Sequence, residues 1–161
     1  MRTLYLFDID GTLRRCHDPR QPCPNRPGDA YLIPEARDWF ARQDWSPTGD
    51  LVGLVSNQGG IECGLLDLET ARQMAEAVFE VLVGRAPLPG TVRICPYNRP
   101  HPDRKPSPGM LEKVQRTYRE AGYRWDEVLM VGDMASDREA AARAGVEFCW
   151  AEAFFGLRDG Y

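Results

Sequence analysis

Five short apolar runs, at residues 3–8, 51–56, 91–95, 128–132 and 146–150, constrain the fold of this chain more than any other feature. Each is close to continuously hydrophobic rather than alternating, the pattern of strands covered on both faces. Helical segments stand between them. Pro34 and Glu35 open one, with Pro at a first helical position and Trp39 and Phe40 on its buried side. In a second, over 68–83, Ala71, Met74, Ala75, Val78 and Leu82 keep the helical period and Gly84 stops it. A third follows Ser107-Pro108, lined by Leu111, Val114, Tyr118 and Ala121. A fourth begins at Ser136, which with Glu139 fits a capping box, and Gly145 ends it. Strict alternation of strand and helix predicts an α/β fold: three α/β/α layers, Rossmann-like, around a five-stranded, mainly parallel sheet. A chain of 161 residues suits one domain, taken as 1–161.

Two connections break the pattern. Residues 14–33 form a long Pro- and Gly-containing insertion, and 96–106 carries four prolines. Both follow strands, so both are expected at the carboxyl edge of the sheet, where ligands bind in this architecture. Composition limits the ligands. Lys+Arg 20 against Asp+Glu 24 leaves a net charge of −4, so a strongly basic surface is not implied and tight non-specific binding of nucleic acid is not the default expectation, while local basic patches stay open. No apolar run has the length of a membrane span. Met1 leads within two residues into the first strand, leaving no room for a signal peptide. The cysteines, Cys16, Cys23, Cys63, Cys95 and Cys149, are odd in number and lack a CxxC spacing. They read as reduced thiols of a cytoplasmic protein.

Four polar clusters follow four of the strands. Asp8-Ile9-Asp10-Gly11-Thr12 comes first. Two carboxylates leaving a strand end toward one side can hold a hard cation, or one can attack while the other shuttles a proton. The same residues also make a plain Asp-rich turn. Ser56-Asn57-Gln58-Gly59-Gly60 offers a hydroxyl, amides and backbone N–H groups to a phosphate oxygen, or is only a turn. Arg104-Lys105-Pro106 offers two cations, or is a solvated loop pair. Gly132-Asp133 supplies another oxygen ligand, and Asp137 falls in the first turn of the next helix, where it also suits the helix dipole. A doubly wound sheet brings all four clusters to one crevice.

In that combination the sequence resembles the haloacid dehalogenase (HAD) superfamily of phosphatases. Asp8–Thr12 matches the first family motif, Ser56 the second, Lys105 the third, and Gly132-Asp133 with Asp137 the fourth. The wording around Ser56 and Lys105 resembles a branch with almost no cap domain. That branch holds heptose bisphosphate phosphatases, histidinol-phosphate phosphatases and the phosphatase domain of polynucleotide kinase/phosphatases. The resemblance implies Asp8 as nucleophile, forming an aspartyl-phosphate, and Asp10 as acid and then base. It implies Mg²⁺ held by Asp8, the main chain of Asp10 and Asp133. Thr12, Ser56, Asn57, Gln58, Arg104 and Lys105 then form the phosphate- and substrate-binding set, with Asp137 in support. The expected substrate is a polynucleotide 3′-phosphate end or a small sugar or polyol phosphate, with no membrane partner.

Departures bear on the substrate. Relatives in this branch often carry a zinc loop of three Cys and one His, where this chain offers only Cys95 and His101. Cys16, His17 and Cys23 make a second incomplete set. Met134 stands where heptose bisphosphate phosphatases often have lysine. In the insertion, Arg14, Arg15, His17, Arg20, Arg26 and Tyr31 are candidates for holding a polyanion, or are solvated loop residues. No phosphate-cradling GxxxxGK[ST] segment is present, so no fused kinase is expected. A non-catalytic phosphate- or partner-binding module on the same fold is the alternative reading, and phosphoryl transfer to an acceptor other than water is a third.

Overall fold

The computed structural model describes residues 1–157. Strands β1 (Thr3–Phe7), β4 (Leu51–Asn57), β5 (Val92–Cys95), β6 (Glu127–Gly132) and β7 (Glu147–Trp150) form one sheet in the order β5-β4-β1-β6-β7. Every pairing in it is parallel, with Leu4 opposite both Leu51 and Val128. The five apolar runs are therefore the five strands of the expected α/β/α sheet.

The period of two along the central strands explains the layers. Leu4, Leu6, Leu51, Val55 and Met130 point to one face. There they meet Met110, Leu111, Val114 and Tyr118 of α3 (Gly109–Glu120) and Ala140 and Ala141 of α4 (Ala135–Arg143). Phe7, Val52, Leu54 and Val131 point to the other. That face is covered by α1 (Pro34–Ala41), α2 (Leu68–Val83) and the short α5 (Ala151–Phe155). α2 starts where Asp67 accepts a hydrogen bond from the Thr70 backbone N–H at 2.7 Å. Aromatic side chains fasten the end of the described chain: Trp39 and Phe154 lie 4.8 Å apart, and Phe7 and Phe155 5.9 Å. Such pairs add about 0.5–1.5 kcal/mol each beyond the area they bury. Trp150 sits at the edge, 39% exposed beneath the Arg138 guanidinium.

Two expectations need correction. The insertion at 14–33 is not irregular throughout. β2 (Arg14–Cys16) and β3 (Ala30–Leu32) pair antiparallel, Arg14 opposite Leu32 and Cys16 opposite Ala30, with a 3₁₀ turn at Pro27–Asp29. Strands of three residues are too short to show a periodicity. The fourth helix is not capped by Ser136 and Glu139. Its N-cap position is Met134, and Asp137 turns back to accept from the Asp133 and Met134 N–H groups at 3.1 and 3.0 Å. Glu139 instead pairs with Arg143. Among the described residues no helix is long and apolar enough to cross a membrane.

Candidate active site

The carboxyl ends of β1, β4 and β6 meet at the floor of a cavity of about 610 Å³, between the β2–β3 hairpin and the loop after β4. Asp8 leaves β1 with its N–H still bonded to Val131 O on β6 at 3.0 Å, so the sheet itself fixes its place. The chain then turns at Gly11, whose φ is +83°. A Cβ there would stand 2.0 Å from Asp133 Oδ2, so only glycine lets the first and fourth clusters close together. Gly132 does the same for Asp137: a Cβ would fall 2.5 Å from that side chain.

Lys105 is the centre of the floor. Its buried ammonium donates to Asp8 Oδ1 at 2.7 Å, to Asp137 Oδ1 at 2.6 Å and to Val55 O at 2.9 Å. Burial opposes its charge, but Asp8 and Asp137 more than offset that and hold its pKa above the ordinary lysine value. Asn57 sets Lys105 in place, since its amide donates to Lys105 O and accepts from Lys105 N–H, both at 3.0 Å. The Thr12 hydroxyl, fully buried, faces Asp8 Oδ2 at 3.4 Å and Asp133 Oδ1 at 3.5 Å.

Asp8, Asp133 and Asp137 bring carboxylate oxygens within 4.8 Å of one another, the one such group among the described residues. Burial, a hydrogen bond with Asp8 and the charges of Asp8 and Asp137 raise the Asp133 carboxyl above its usual range. Burial likewise raises Asp137, against the pull of Lys105. Three carboxylates facing one lysine leave negative charge in excess, and oxygen donors of this kind fit a hard divalent cation. Both oxygens of Asp137 already accept, from Lys105 and from two backbone N–H groups. Asp8 and Asp133 therefore have the freer oxygens.

Asp10 lies outside that trio. Its carboxylate receives Arg14 Nε at 2.7 Å, Arg14 Nη2 at 3.2 Å and Gln58 Nε2 at 3.0 Å. Gln58, almost wholly buried, also donates to Ser56 Oγ at 2.9 Å, while its Oε1 has no partner. Arg104 lines the cavity with Nη1 donating to Tyr97 O at 2.7 Å. The floor thus gathers Asp8, Asp10, Asn57, Gln58, Arg104, Lys105, Asp133 and Asp137 around one space.

The hairpin residues do less than their composition suggests. Arg14 is no surface cation: it is 3% exposed and bound to Asp10. Arg20 pairs with Asp18, Arg26 with Asp29, and the His17 ring lies against Tyr31. Cys95 is buried, and His101 Nδ1 accepts from the Asp103 N–H at 3.0 Å. None of Cys16, His17, Cys23, Cys95 and His101 belongs to a metal-holding group. The sequence reading missed the Arg14–Asp10 pair and the approach of Cys23. Burial and the adjacent Asp10 push the Cys23 thiol up to about 12, which keeps it neutral. The one sequence signal for the pair was the spacing of four across a glycine turn.

An electrophilic oxyacid ester fits this geometry: a carboxylate held by a buried ammonium, a second carboxylate two residues on, and a metal-suited oxygen cluster. Comparison with known proteins agrees. Residues 3–157 match the family model described as polynucleotide kinase 3 phosphatase. The chain belongs to that family, and it is a phosphatase of the HAD superfamily. Its similar proteins include the D-glycero-beta-D-manno-heptose-1,7-bisphosphate 7-phosphatase of Pseudomonas aeruginosa, 29% identical over 87% of this chain and 75% of the relative. The enzyme of the same name from Bordetella bronchiseptica is 31% identical, over 88% of this chain and 76% of the relative. A crystal structure of D,D-heptose 1,7-bisphosphate phosphatase from B. bronchiseptica, complexed with magnesium and phosphate, superposes with a TM-score of 0.71 at 25% identity. It covers 98% of this chain and 89% of that one.

Proposed function

We propose that the chain is a Mg²⁺-dependent phosphomonoester hydrolase acting through an aspartyl-phosphate on Asp8. The observation that carries this reading is the Asp8 carboxylate fixed 2.7 Å from the buried Lys105 ammonium, beside Asp133 and Asp137. Asp8 and Asp133 hold the metal, with the Asp10 main chain as a further ligand. Bound there, Mg²⁺ offsets the repulsion between an anionic ester and an attacking carboxylate and polarises the phosphoryl oxygens.

Asp8 attacks phosphorus through Oδ2, the oxygen that Lys105 does not occupy. The bond from phosphorus to the ester oxygen breaks, and Asp10 gives that oxygen its proton. Water then attacks phosphorus, passing a proton back to Asp10, which frees inorganic phosphate and the Asp8 carboxylate. Lys105, Ser56 and the backbone around Gly59 stabilise the charge spread over the phosphoryl oxygens. Thr12 steadies Asp8 and Asp133, Asn57 positions Lys105, Gln58 and Arg14 aim Asp10, and Asp137 holds Lys105 and the Asp133 loop. Arg104 faces the substrate.

We favour a small phosphate ester over a polynucleotide 3′ end, because three hairpin arginines, Arg14, Arg20 and Arg26, are already paired with Asp10, Asp18 and Asp29. The test is Asp8→Asn: turnover of phosphate monoesters is lost while the circular dichroism spectrum of the folded protein is kept. In the wild type, acid-quenched protein carries label from a ³²P-labelled substrate that hydroxylamine removes. Turnover in purified Asp8→Asn protein refutes the assignment.

A further inference from the structure

Resting on the hydrolase reading above, we infer that the leaving group of the substrate is a compact alcohol with an apolar face, and that Leu65 is the side chain that selects it. The cavity is two-sided. Its floor holds the charges described above. Its rim carries Leu65, Leu66, Met134 and Pro22. Leu65 is 62% exposed and Met134 59%, among the most exposed large apolar side chains of the described chain. Apolar exposure gathered at the mouth of a charged pocket marks a binding surface.

Several polar side chains of the same wall are already bonded within the protein. Gln21 donates to Cys23 O and Asp29 Oδ2, both at 2.9 Å. Asn57 is taken up by the Lys105 backbone, and the Gln58 NH2 group by Asp10 and Ser56. An apolar face of the leaving group gains by leaving water against Leu65, Leu66 and Met134.

The loop presenting Leu65 is built rather than loose. Leu65 N–H donates to Gly60 O at 2.9 Å, Glu62 N–H to Pro96 O at 3.1 Å, and Glu62 pairs with Arg99 across the neighbouring connection. The phosphoryl end of an ester is drawn to Lys105, so the remainder of the molecule points at this rim.

The test compares phenethyl phosphate with glycerol phosphate, both primary alkyl esters with similar intrinsic leaving ability. We expect kcat/KM to favour phenethyl phosphate by about tenfold or more, the range an apolar pocket gives. Leu65→Asn should bring the ratio close to one, and Leu65→Met should restore it. The same preference should appear in Kd when both esters are titrated calorimetrically into Asp8→Asn protein with Mg²⁺. A binding preference abolished by Leu65→Asn, with no turnover of either ester by the wild type, would sustain this inference and refute the hydrolase. Equal kcat/KM and Kd for the two esters, a ratio that Leu65→Asn leaves unchanged, or a 3′-phosphorylated oligonucleotide turned over faster than both, overturns it.

Discussion

Replacing Lys105 by Met removes the ammonium that bridges Asp8 and Asp137 and leaves a side chain of similar length. The ammonium is 2% exposed, its partner Asp8 9% and Asp137 1%. Breaking a buried ion pair from one side costs about 3–5 kcal/mol, because the remaining charge stays buried without compensation. The two carboxylates do not suffer equally. Asp137 keeps two backbone N–H donors, whereas Asp8 is left with the Thr12 hydroxyl at 3.4 Å and a second acidic group, Asp133, beside it. Most of the cost therefore falls on Asp8. In a domain of this size about 3–5 kcal/mol lowers Tm by roughly 6–20 °C. The assay is thermal unfolding by circular dichroism in EDTA for the wild type, Lys105→Met, Asp8→Asn and the double variant. Neutralising Asp8 in the Lys105→Met background should recover more than half of the lost stability. A single-variant loss below about 1 kcal/mol, or a double variant no more stable than Lys105→Met, refutes the view that Lys105 is the counter-charge of Asp8.

Two further outcomes follow from the same floor. Gly11→Ala forces a Cβ to within 2.0 Å of Asp133 Oδ2 at a φ of +83°. It should cost about 1–2 kcal/mol in backbone strain alone and weaken Mg²⁺ binding by about tenfold or more, read by calorimetric titration; unchanged affinity would show that Asp133 is not a ligand. The pH dependence of the metal-free protein tests the crowding of carboxylates. Asp133 and Asp137 have folded-state pKa values raised above 3.8. Between that value and the raised ones the folded chain binds protons that the unfolded chain has released, so this contribution to stability declines as pH rises. In EDTA, Tm should fall from about pH 5 to about pH 8, and saturating Mg²⁺ should flatten the slope; a Tm that rises over that window contradicts the reading.

The sheet was legible because its strands are buried on both faces, so that Leu4–Phe7 or Leu51–Val55 are almost wholly apolar, a pattern that survives without knowledge of neighbours. Three of the four polar clusters were legible for a related reason, since each directly follows such a run; Arg104-Lys105 instead ends the long connection after the third. What stayed hidden depended on contacts distant in sequence or on elements too short for a period. Asn57 and Lys105 exchange two hydrogen bonds across 48 positions, and nothing local to either residue announces that. Arg14-Arg15-Cys16 and Ala30-Tyr31-Leu32 pair as strands of three residues. Arg14 read as a surface cation because arginine usually is one; the turn at Gly11 folds it back under the hairpin. The start of α4 was displaced by two residues because Asp137, not Ser136, satisfies the free N–H groups there.

The burial of Arg14 also governs how the entrance behaves. The guanidinium sits at the root of the β2–β3 hairpin, on its first residue, and grips a carboxylate that belongs to the sheet edge. It acts as a rivet: lifting the base of the flap would separate this close ion pair. We expect the flap to move first in its outer part, beyond Cys16, with Asp10 held in aim below it.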